Sequence, residues 1–279
     1  MAKKHTPFVI AYDFDGTLAS GNMQEYDFIP ALEIKIKDFW KKVSEEAKRN
    51  DADGILTYMH LMLKEASKKD IKVQRQNFED FGKKIQMFDG VAGWFDRIDE
   101  YGRLRQIKVQ HFIISSGLRE MIQGTSIARH FEQIYASGFM YDQHDVAIWP
   151  ALAINYTTKT QYLFRINKGS LDVHDNSLIN KYVPDSQRPV PFANMVFIGD
   201  GETDIPCMRL VKSQGGHAIA VYPPKKKGAK TKALQLVKEG RVNLVTATDY
   251  TDGSNMDQAV KAMMDKVAAE SVIKEAGLK

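Results

Sequence analysis

Cysteine is nearly absent from this sequence, since Cys207 is the only one in 279 residues. A single thiol excludes an intramolecular disulfide, and with it the small secreted folds that disulfides hold together. We expect Cys207 to be a buried structural residue. We also expect the chain to work in a reducing compartment, by default the cytoplasm.

Long apolar runs are also missing from the chain. No run is long enough to cross a bilayer, which argues against a membrane-spanning protein. Residues 1–4 include two lysines, but the apolar stretch that follows, 8–12, is too short for the core of a signal peptide. We therefore expect a soluble protein without a membrane partner.

Neither sign of charge is in large excess, because the net charge is +4 and the isoelectric point is about 8.9. This mildly basic balance permits attraction to an anionic substrate but requires no nucleic-acid surface. The lysine run 225–227 is short, with only Tyr222 as an aromatic neighbour, which favours a solvated loop. A hydrophobic fraction of 43% and a charged fraction of 27% are typical of a globular protein.

Short apolar runs that end in polar residues are present at three separated places. Residues 8–12, 111–114 and 195–198 have the continuous hydrophobic character of buried strands in a parallel sheet. Further strands are predicted at 218–222 and 242–245, and an amphipathic helix at 255–269. Ligands bind at the carboxyl edge of such sheets, so polar residues after the first three strands can converge there.

Residues 20–90 show no convincing strand. Apolar residues between 32 and 43, and again between 78 and 85, follow helical spacing, and 55–63 is more uniformly apolar, as in a central helix. A further helical pattern at 91–98 leads back into the sheet. We therefore predict an α/β core formed by residues 1–19 and 90–279, and a helical cap domain formed by residues 20–89.

Two acidic pairs follow the first and third predicted strands. Asp13 and Asp15 alternate around one residue, which sends both carboxylates to the same side, and Asp200 and Asp204 flank a turn that enters a helix. A parallel sheet can bring the two pairs together. Hard oxygen ligands favour magnesium, which also binds phosphate oxygens, and Lys159 can balance the remaining charge.

Each of these features has an ordinary structural explanation when it is taken alone. Asp-x-Asp-Gly is a common turn, Ser115 and Ser116 are common helix caps, and Asp204 can stabilise a helix N-terminus. Their occurrence together, at three strand ends and in this order, indicates one functional site.

Four separated motifs resemble those of the haloacid dehalogenase superfamily. The first is a hydrophobic strand followed by Asp-x-Asp-Gly-Thr, matched in full by residues 13–17. The second, a strand ending in Ser or Thr, matches residues 112–115, and the fourth, Gly-Asp-x-x-x-Asp, matches residues 199–204. The third motif is a lysine before a helix, for which Lys159 is the better candidate and Lys168 the weaker.

The resemblance covers roughly residues 6–20 and 90–250, and it is to the phosphoserine phosphatase-like members with a helical cap. It implies a doubly wound, Rossmann-like parallel sheet and a magnesium-dependent phosphatase acting on a small phosphorylated metabolite. Asp13 would be the nucleophile and Asp15 the proton donor and acceptor. The metal would be held by the Asp13 carboxylate, the Asp15 carbonyl and Asp200.

The remaining motif residues would bind the phosphate, according to the same resemblance. Ser115 and Lys159 would contact the transferring oxygens, and backbone donors near Ser116 and Gly117, at the start of the following helix, would add to them. Asp204 would orient Lys159 or the metal shell. Glu25 and Arg119 lie where side chains that contact a substrate can sit, although an exposed surface role is the simpler interpretation of each.

Other activities of the superfamily stay open to different degrees. Dehalogenases lack an acid two residues after the nucleophile, so Asp15 favours phosphate chemistry. Pump ATPases require Lys-Thr-Gly-Thr directly after the nucleophile, and Asp13 is followed by a different sequence. A phosphomutase or phosphotransferase is an alternative, and so is a phosphonatase, which needs a lysine in the cap. The alternative from another class is a binding protein that has kept the fold without catalysis.

Overall fold

A seven-stranded sheet forms the centre of the molecule in the computed structural model, which describes residues 5–277. Residues 1–4 and 278–279 of the predicted core, including the basic N-terminal residues, lie outside the described part of the chain. In spatial order the strands are β4-β3-β2-β1-β5-β6-β7. Their bounds are β1 Thr6–Tyr12, β2 Ile107–Leu118, β3 Phe131–Tyr141, β4 Ala147–Leu152, β5 Met195–Gly199, β6 His217–Tyr222 and β7 Leu244–Ala247.

All neighbouring strands run parallel except β3 and β4, which are antiparallel at one edge of the sheet. The predicted α/β fold with a largely parallel sheet is therefore confirmed. The sequence patterns missed β3 and β4. In β3, polar residues interrupt the apolar pattern. In β4, Pro150 removes a backbone donor, which only an edge strand or a bulge tolerates.

Residues 20–89 form helices and no strand, apart from isolated bridges to neighbouring segments. A short 3-10 helix, Met23–Glu25, is followed by four α-helices. These are α1 Phe28–Ala31, α2 Ile36–Asn50, α3 Gly54–Lys68 and α4 Arg75–Gly82. The helical character was predicted. The assignment of this segment as a separate cap domain stays a prediction.

Within residues 5–277, the remainder of the chain forms six further α-helices. They are α5 Val91–Arg103, α6 Arg119–Gln123, α7 Tyr156–Lys168, α8 Ile205–Ser213, α9 Ala229–Lys238 and α10 Asn255–Gly277. None of the helices within residues 5–277 is long and apolar enough to cross a membrane.

Helices cover both faces of the sheet. Alternate residues of β1 point to opposite faces, so Ile10 packs in the cluster that includes α5 and α10, whereas Val9 packs in the cluster that includes α7, α8 and α9. Cys207 of α8 is fully buried in the second cluster, as predicted. These two layers bury residues 8–12 of β1 and fix the position of its carboxyl end.

The helical segment 20–89 packs closely on the core. Phe78 of α4 stacks on Phe139 of β3 with ring centroids 5.2 Å apart. A Cβ atom on Gly82 would lie 2.0 Å from the carbonyl oxygen of Met121, so α4 and α6 approach more closely than a side chain at that position would permit.

The carboxyl ends of β1, β2 and β5 lie side by side. Tyr12, the last residue of β1, is in register with Ile113 of β2 and Ile198 of β5. The chain leaves β1 toward β2 on one side and returns to β5 on the other, so the topological switch point lies here. The backbone N–H of Asp13 donates to the carbonyl oxygen of Ile198, 2.9 Å away. The first and fourth motifs therefore begin as neighbours.

Candidate active site

The turn after β1 places the first motif against the fourth. Asp13 is only 6% exposed. Gly16 has φ +74°, and a Cβ atom there would lie 2.2 Å from Oδ2 of Asp200. Glycine is required at this position because it tolerates the left-handed conformation and because the Asp200 carboxylate occupies the space of a side chain.

Lys159 joins Asp13 to Asp204 in the interior. It lies in the first turn of α7, which begins after the N-cap residue Asn155. Its Nζ is 2.9 Å from Oδ1 of Asp13 and 2.7 Å from Oδ1 of Asp204, and both Lys159 and Asp204 are fully buried. The other Asp204 oxygen accepts a hydrogen bond from the N–H of Gly201 at 3.1 Å. The two ion pairs leave the ammonium group no freedom to move independently.

Lys168, the weaker candidate for the third motif, lies at the other end of α7. Its Nζ donates to the carbonyl oxygens of Ile179 and Lys181, at 2.7 and 2.9 Å. These contacts hold the loop after α7 and do not involve the motif residues. Of the two lysines, the structure brings only Lys159 to the carboxylates.

Three carboxylates form a compact acidic group. One oxygen from each of Asp13, Asp200 and Asp204 lies within 4.8 Å of the other two. Burial, reinforced by the Asp13 and Asp204 carboxylates, raises the pKa of Asp200 to about 8. Burial and the Asp13 carboxylate also raise the pKa of Asp204 to about 6, although Lys159 opposes the rise. Negative charge is therefore in excess around Asp200.

This donor set fits a divalent cation. The group offers hard carboxylate oxygens, and Asp200, unlike the other two, has no lysine within ion-pair distance among residues 5–277. The Asp15 side chain is not part of this group. The contribution predicted for Asp15 is through its main-chain carbonyl, and it stays a prediction. Asp204 belongs to the group, but its oxygens already accept hydrogen bonds from Lys159 and Gly201.

Asp15 lies beside the acidic group with its carboxyl partly exposed to the cavity. Its Oδ1 accepts a hydrogen bond from the N–H of Met23 at 2.9 Å. Burial by the surrounding protein, together with the nearby Asp13 charge, raises the pKa of Asp15 well above its usual range. This environment favours the protonated form of the carboxyl group.

The end of β2 supplies the hydroxyls of the second motif. Ser115 Oγ accepts a hydrogen bond from the N–H of Gly117 at 3.0 Å. The expected helix start at Gly117 is wrong, because this residue lies in β2 and its amide already donates to Ser115. Ser116 Oγ is buried and has no hydrogen-bond partner within residues 5–277. An unpartnered buried hydroxyl beside the acidic group is available to a ligand oxygen.

The helical segment is hydrogen-bonded directly to this loop. The hydroxyl of Tyr58, on α3, donates to the carbonyl oxygen of Ser116 at 2.8 Å. Asp53, the N-cap residue of α3, accepts a hydrogen bond from the side-chain amide of Asn155 at 2.5 Å. In both contacts the core partner lies next to a site residue. Ser116 follows Ser115, and Asn155 is the N-cap residue of α7, the helix that carries Lys159.

A cavity of about 1050 Å³ opens above the acidic group. Its walls come from the strand ends of the core and from the helical segment. The core contributes Asp13, Asp15, Gly16, Ser115, Ser116, Gly117, Asn155, Tyr156, Lys159, Asp200, Thr203, Pro223 and Lys226. The segment 20–89 contributes Ser20, Gly21, Asn22, Gln24, Glu25, Trp40, Asp53, Gly54, Ile55, Tyr58 and Phe88.

Several wall residues differ from the sequence-based expectations. Glu25 lines the cavity, whereas Arg119 is not among its wall residues and donates to Glu120 at 3.2 Å. Lys226 belongs to the run interpreted as a solvated loop, yet it lines the cavity. Its position in the loop after the parallel strand β6 is a signal that could have identified it. Tyr156 was missed, and its proximity to Lys159 in sequence was the available signal.

An open, doubly wound α/β sheet with acidic residues directly after β1 and β5 defines the class of hydrolases to which the four motifs point. The profile of the haloacid dehalogenase-like hydrolase family matches residues 10–209. This chain belongs to the haloacid dehalogenase-like hydrolase family.

Several known proteins are similar to this chain. An uncharacterized protein of Borreliella burgdorferi is 28% identical over 289 residues, covering 92% of this chain and 96% of that protein. A HAD family hydrolase of Salmonella enterica serovar Typhi superposes with a TM-score of 0.55 at 15% identity, over 85% of this chain and 66% of that chain. A phosphoserine phosphatase with an analogue of its phospho-aspartyl intermediate superposes with a TM-score of 0.53 at 12% identity, over 92% of this chain and 99% of that chain. At these identities, the solved structures show a shared fold alone.

Proposed function

We propose that this protein is a magnesium-dependent phosphatase that hydrolyses a small phosphate monoester through an aspartyl phosphate. The observation that carries the proposal is the position of Asp13. Its carboxylate lies at the end of β1, lines the cavity, and is held 2.9 Å from the buried ammonium group of Lys159. A fixed carboxylate with an adjacent cation can approach a phosphate dianion that would otherwise repel it.

The first half of the reaction forms the enzyme intermediate. A carboxylate oxygen of Asp13 attacks phosphorus, and the bond between phosphorus and the alcohol oxygen breaks. Asp15 donates its proton to the leaving oxygen. The raised pKa of Asp15 supports this role, because the group must carry a proton at the start of the step.

The second half regenerates the enzyme. Asp15, now ionised, accepts a proton from water while the water oxygen attacks the aspartyl phosphate. The bond between Asp13 and phosphorus breaks, and inorganic phosphate leaves. Ser115, the unpartnered hydroxyl of Ser116 and Lys159 bind the phosphate oxygens, and Asp204 holds Lys159 in place.

The residues that would hold magnesium are Asp13 and Asp200, with the main-chain carbonyl of Asp15. When bound, the ion shields negative charge between the attacking carboxylate and the phosphate. The raised pKa of Asp200 supports this assignment, since an acid buried among other acids is stabilised as the anion by a nearby cation.

The phosphonatase alternative finds no support in the cavity wall. That activity requires a cap lysine at the site, and none of the residues from 20–89 that line the cavity in the described structure is a lysine. The phosphomutase alternative differs in the fate of the phosphoryl group, which returns to the substrate and does not pass to water. Only a measurement of the product separates it from hydrolysis.

The test is a screen of phosphorylated metabolites, together with p-nitrophenyl phosphate, with and without magnesium. We expect release of inorganic phosphate that contains one oxygen atom from ¹⁸O-labelled water. An isomerised phosphate ester without free phosphate would replace the proposal by a phosphomutase. Absence of turnover on every compound would favour the non-catalytic binding protein.

A further inference from the structure

The cavity wall formed by the helical segment is acidic and aromatic. Glu25 and Asp53 supply carboxylates, and Trp40, Tyr58 and Phe88 supply aromatic rings. Within the described residues, no lysine or arginine of this segment lines the cavity. A substrate bound under the segment therefore meets negative charge and π-electron faces on that side.

Glu25 and Trp40 form a fixed pair in this wall. The indole N–H of Trp40 donates to Oε1 of Glu25 at 2.7 Å, and the side-chain amide of Asn22 donates to the same oxygen at 2.6 Å. Among residues 5–277, no hydrogen bond engages the second oxygen, Oε2. The carboxylate is thus oriented by two donors while one of its oxygens stays available.

Two aromatic rings stand at a steep angle beside this carboxylate. The centroids of Trp40 and Tyr58 are 5.9 Å apart, and their planes are inclined by 70°. Rings arranged at an angle around an acidic group attract alkylammonium ions, because the ring faces carry negative charge and the alkyl groups contact apolar surface. The combination recognises a cation with carbon substituents better than a metal ion.

Asp53 has a different role from Glu25. Its Oδ1 accepts hydrogen bonds from the N–H groups of Ile55 and Leu56, and its Oδ2 accepts one from Asn155. These contacts make it a structural cap that adds only negative charge to the wall. Glu25 is therefore the carboxylate in this wall that can contact a substrate.

The core side of the cavity contributes a further aromatic residue. Tyr156 is 52% exposed and lines the cavity at the start of α7. Its backbone has φ +35°, in the left-handed region that disfavours a tyrosine. Strained residues of this kind concentrate at functional sites, where the surrounding structure holds them in place.

The lysines that line the cavity lie on its core side, beside the catalytic carboxylates. Among the described wall residues these are Lys159 and Lys226, and both belong to the core. Cations that can bind phosphate oxygens therefore lie on the core side, whereas the charged groups in the helical wall are anionic. A substrate fits this arrangement if its phosphate lies beside the core lysines and a positive charge lies against the helical wall.

We infer that the substrate is a phosphate monoester of a cationic amino alcohol without a carboxylate, with its ammonium group bound by Glu25 and Trp40. This inference rests on the proposed function. A carboxylate on the substrate would face Glu25 and Asp53 without a cation from the helical segment to bind it. Phosphorylated amino acids are thereby disfavoured, and alkylammonium alcohols such as choline are favoured.

The test compares choline phosphate with 3,3-dimethylbutyl phosphate, which has the same shape but carbon in place of the charged nitrogen. We expect kcat/KM to be at least about tenfold higher for choline phosphate, a ratio typical of a partly desolvated cation site. O-phosphoserine, 5′-AMP and p-nitrophenyl phosphate complete the panel. The variant Glu25→Gln keeps an oxygen that accepts from Trp40 and Asn22 but loses the negative charge. We expect its ratio to fall to about two or less, because the anion that attracts the ammonium group of choline phosphate is gone.

Glu45→Gln is the matched control, because it removes the same charge from an exposed site on α2 outside the cavity. It should keep the wild-type ratio. Equal and substantial turnover of the two isosteric esters would overturn the inference while leaving the phosphatase proposal intact. Faster turnover of 5′-AMP or O-phosphoserine than of choline phosphate would do the same. Absence of phosphate release from the whole panel, including p-nitrophenyl phosphate, would overturn the proposed function itself.

Discussion

Lys159 Nζ lies 2.9 Å from Asp13 Oδ1, although 146 positions separate the two residues in the chain. Both groups are removed from water, and Asp204 supplies the second anion that the lysine contacts. The carboxylates raise the pKa of Lys159 despite the opposing effect of burial, so the lysine stays charged. This contact connects the first, third and fourth motifs in one hydrogen-bonded unit.

Asp13→Asn should abolish turnover without unfolding the protein. The amide has nearly the same shape but cannot form an acyl phosphate, so we expect kcat to fall by at least about 1000-fold, as for other removed nucleophiles. Phosphate release measures the loss, and a circular dichroism melt checks the fold. Turnover above trace levels in a folded variant would refute the nucleophile assignment.

Lys159→Met and Lys168→Met should have unequal effects. The first leaves Asp13 and Asp204 buried without a cation, so we expect loss of most turnover and destabilisation of roughly 3–5 kcal/mol. The second removes hydrogen bonds to two loop carbonyls, so we expect near-normal turnover and a cost of about 1 kcal/mol. Activity assays and urea unfolding of both variants provide the comparison. The reverse ranking would assign the third motif to Lys168.

Gly16→Ala should displace the Asp200 carboxylate, since the added Cβ atom would lie 2.2 Å from Oδ2. We expect turnover to fall by about 100-fold or more, because the carboxylate would no longer be positioned for catalysis. Gly228→Ala is the matched control. Gly228 has φ +79°, and its added Cβ atom meets nothing within 4 Å, so it should cost only about 1–2 kcal/mol of strain. Equal loss of activity in both variants would show that strain alone is responsible.

Magnesium should be required for turnover, and calcium should inhibit it, because calcium prefers more ligands and a looser geometry. Magnesium should also raise the melting temperature of the wild type, since a ligand that binds only the folded state stabilises it. Asp200→Asn should lose most of that rise. Full activity after exhaustive chelation, or an equal thermal shift in the variant, would exclude Asp200 as a metal ligand.

Tyr58→Phe should weaken catalysis from within the helical segment. The variant loses the 2.8 Å hydrogen bond to the Ser116 carbonyl, which fixes the loop carrying the second motif. We expect kcat/KM to fall by about five- to tenfold, in line with the loss of roughly 1 kcal/mol of hydrogen bonding. Tyr101→Phe, which removes an exposed hydrogen bond to Asp265, is the control and should be unaffected. If both variants retain full activity, the segment does not position this loop.

Much of the core could be predicted because its signals are local. Continuous apolar runs predict buried parallel strands, and residues 8–12, 111–114 and 195–198 all lie within strands of the sheet. The antiparallel strand β4 gave no such signal. It lies at the edge of the sheet, where one side is open and a proline is tolerated, so its residues need not be uniformly apolar.

The sequence alone determined that the motifs meet at one edge of the sheet, because parallel strands have their carboxyl ends at the same edge. Only the tertiary structure decided which distant side chains meet there. The contact of Tyr58 with Ser116 and the pairing of Glu25 with Trp40 depend on how the helical segment packs on the core. That packing arises from many weak apolar contacts between distant parts of the chain, so no local pattern of residues specifies it.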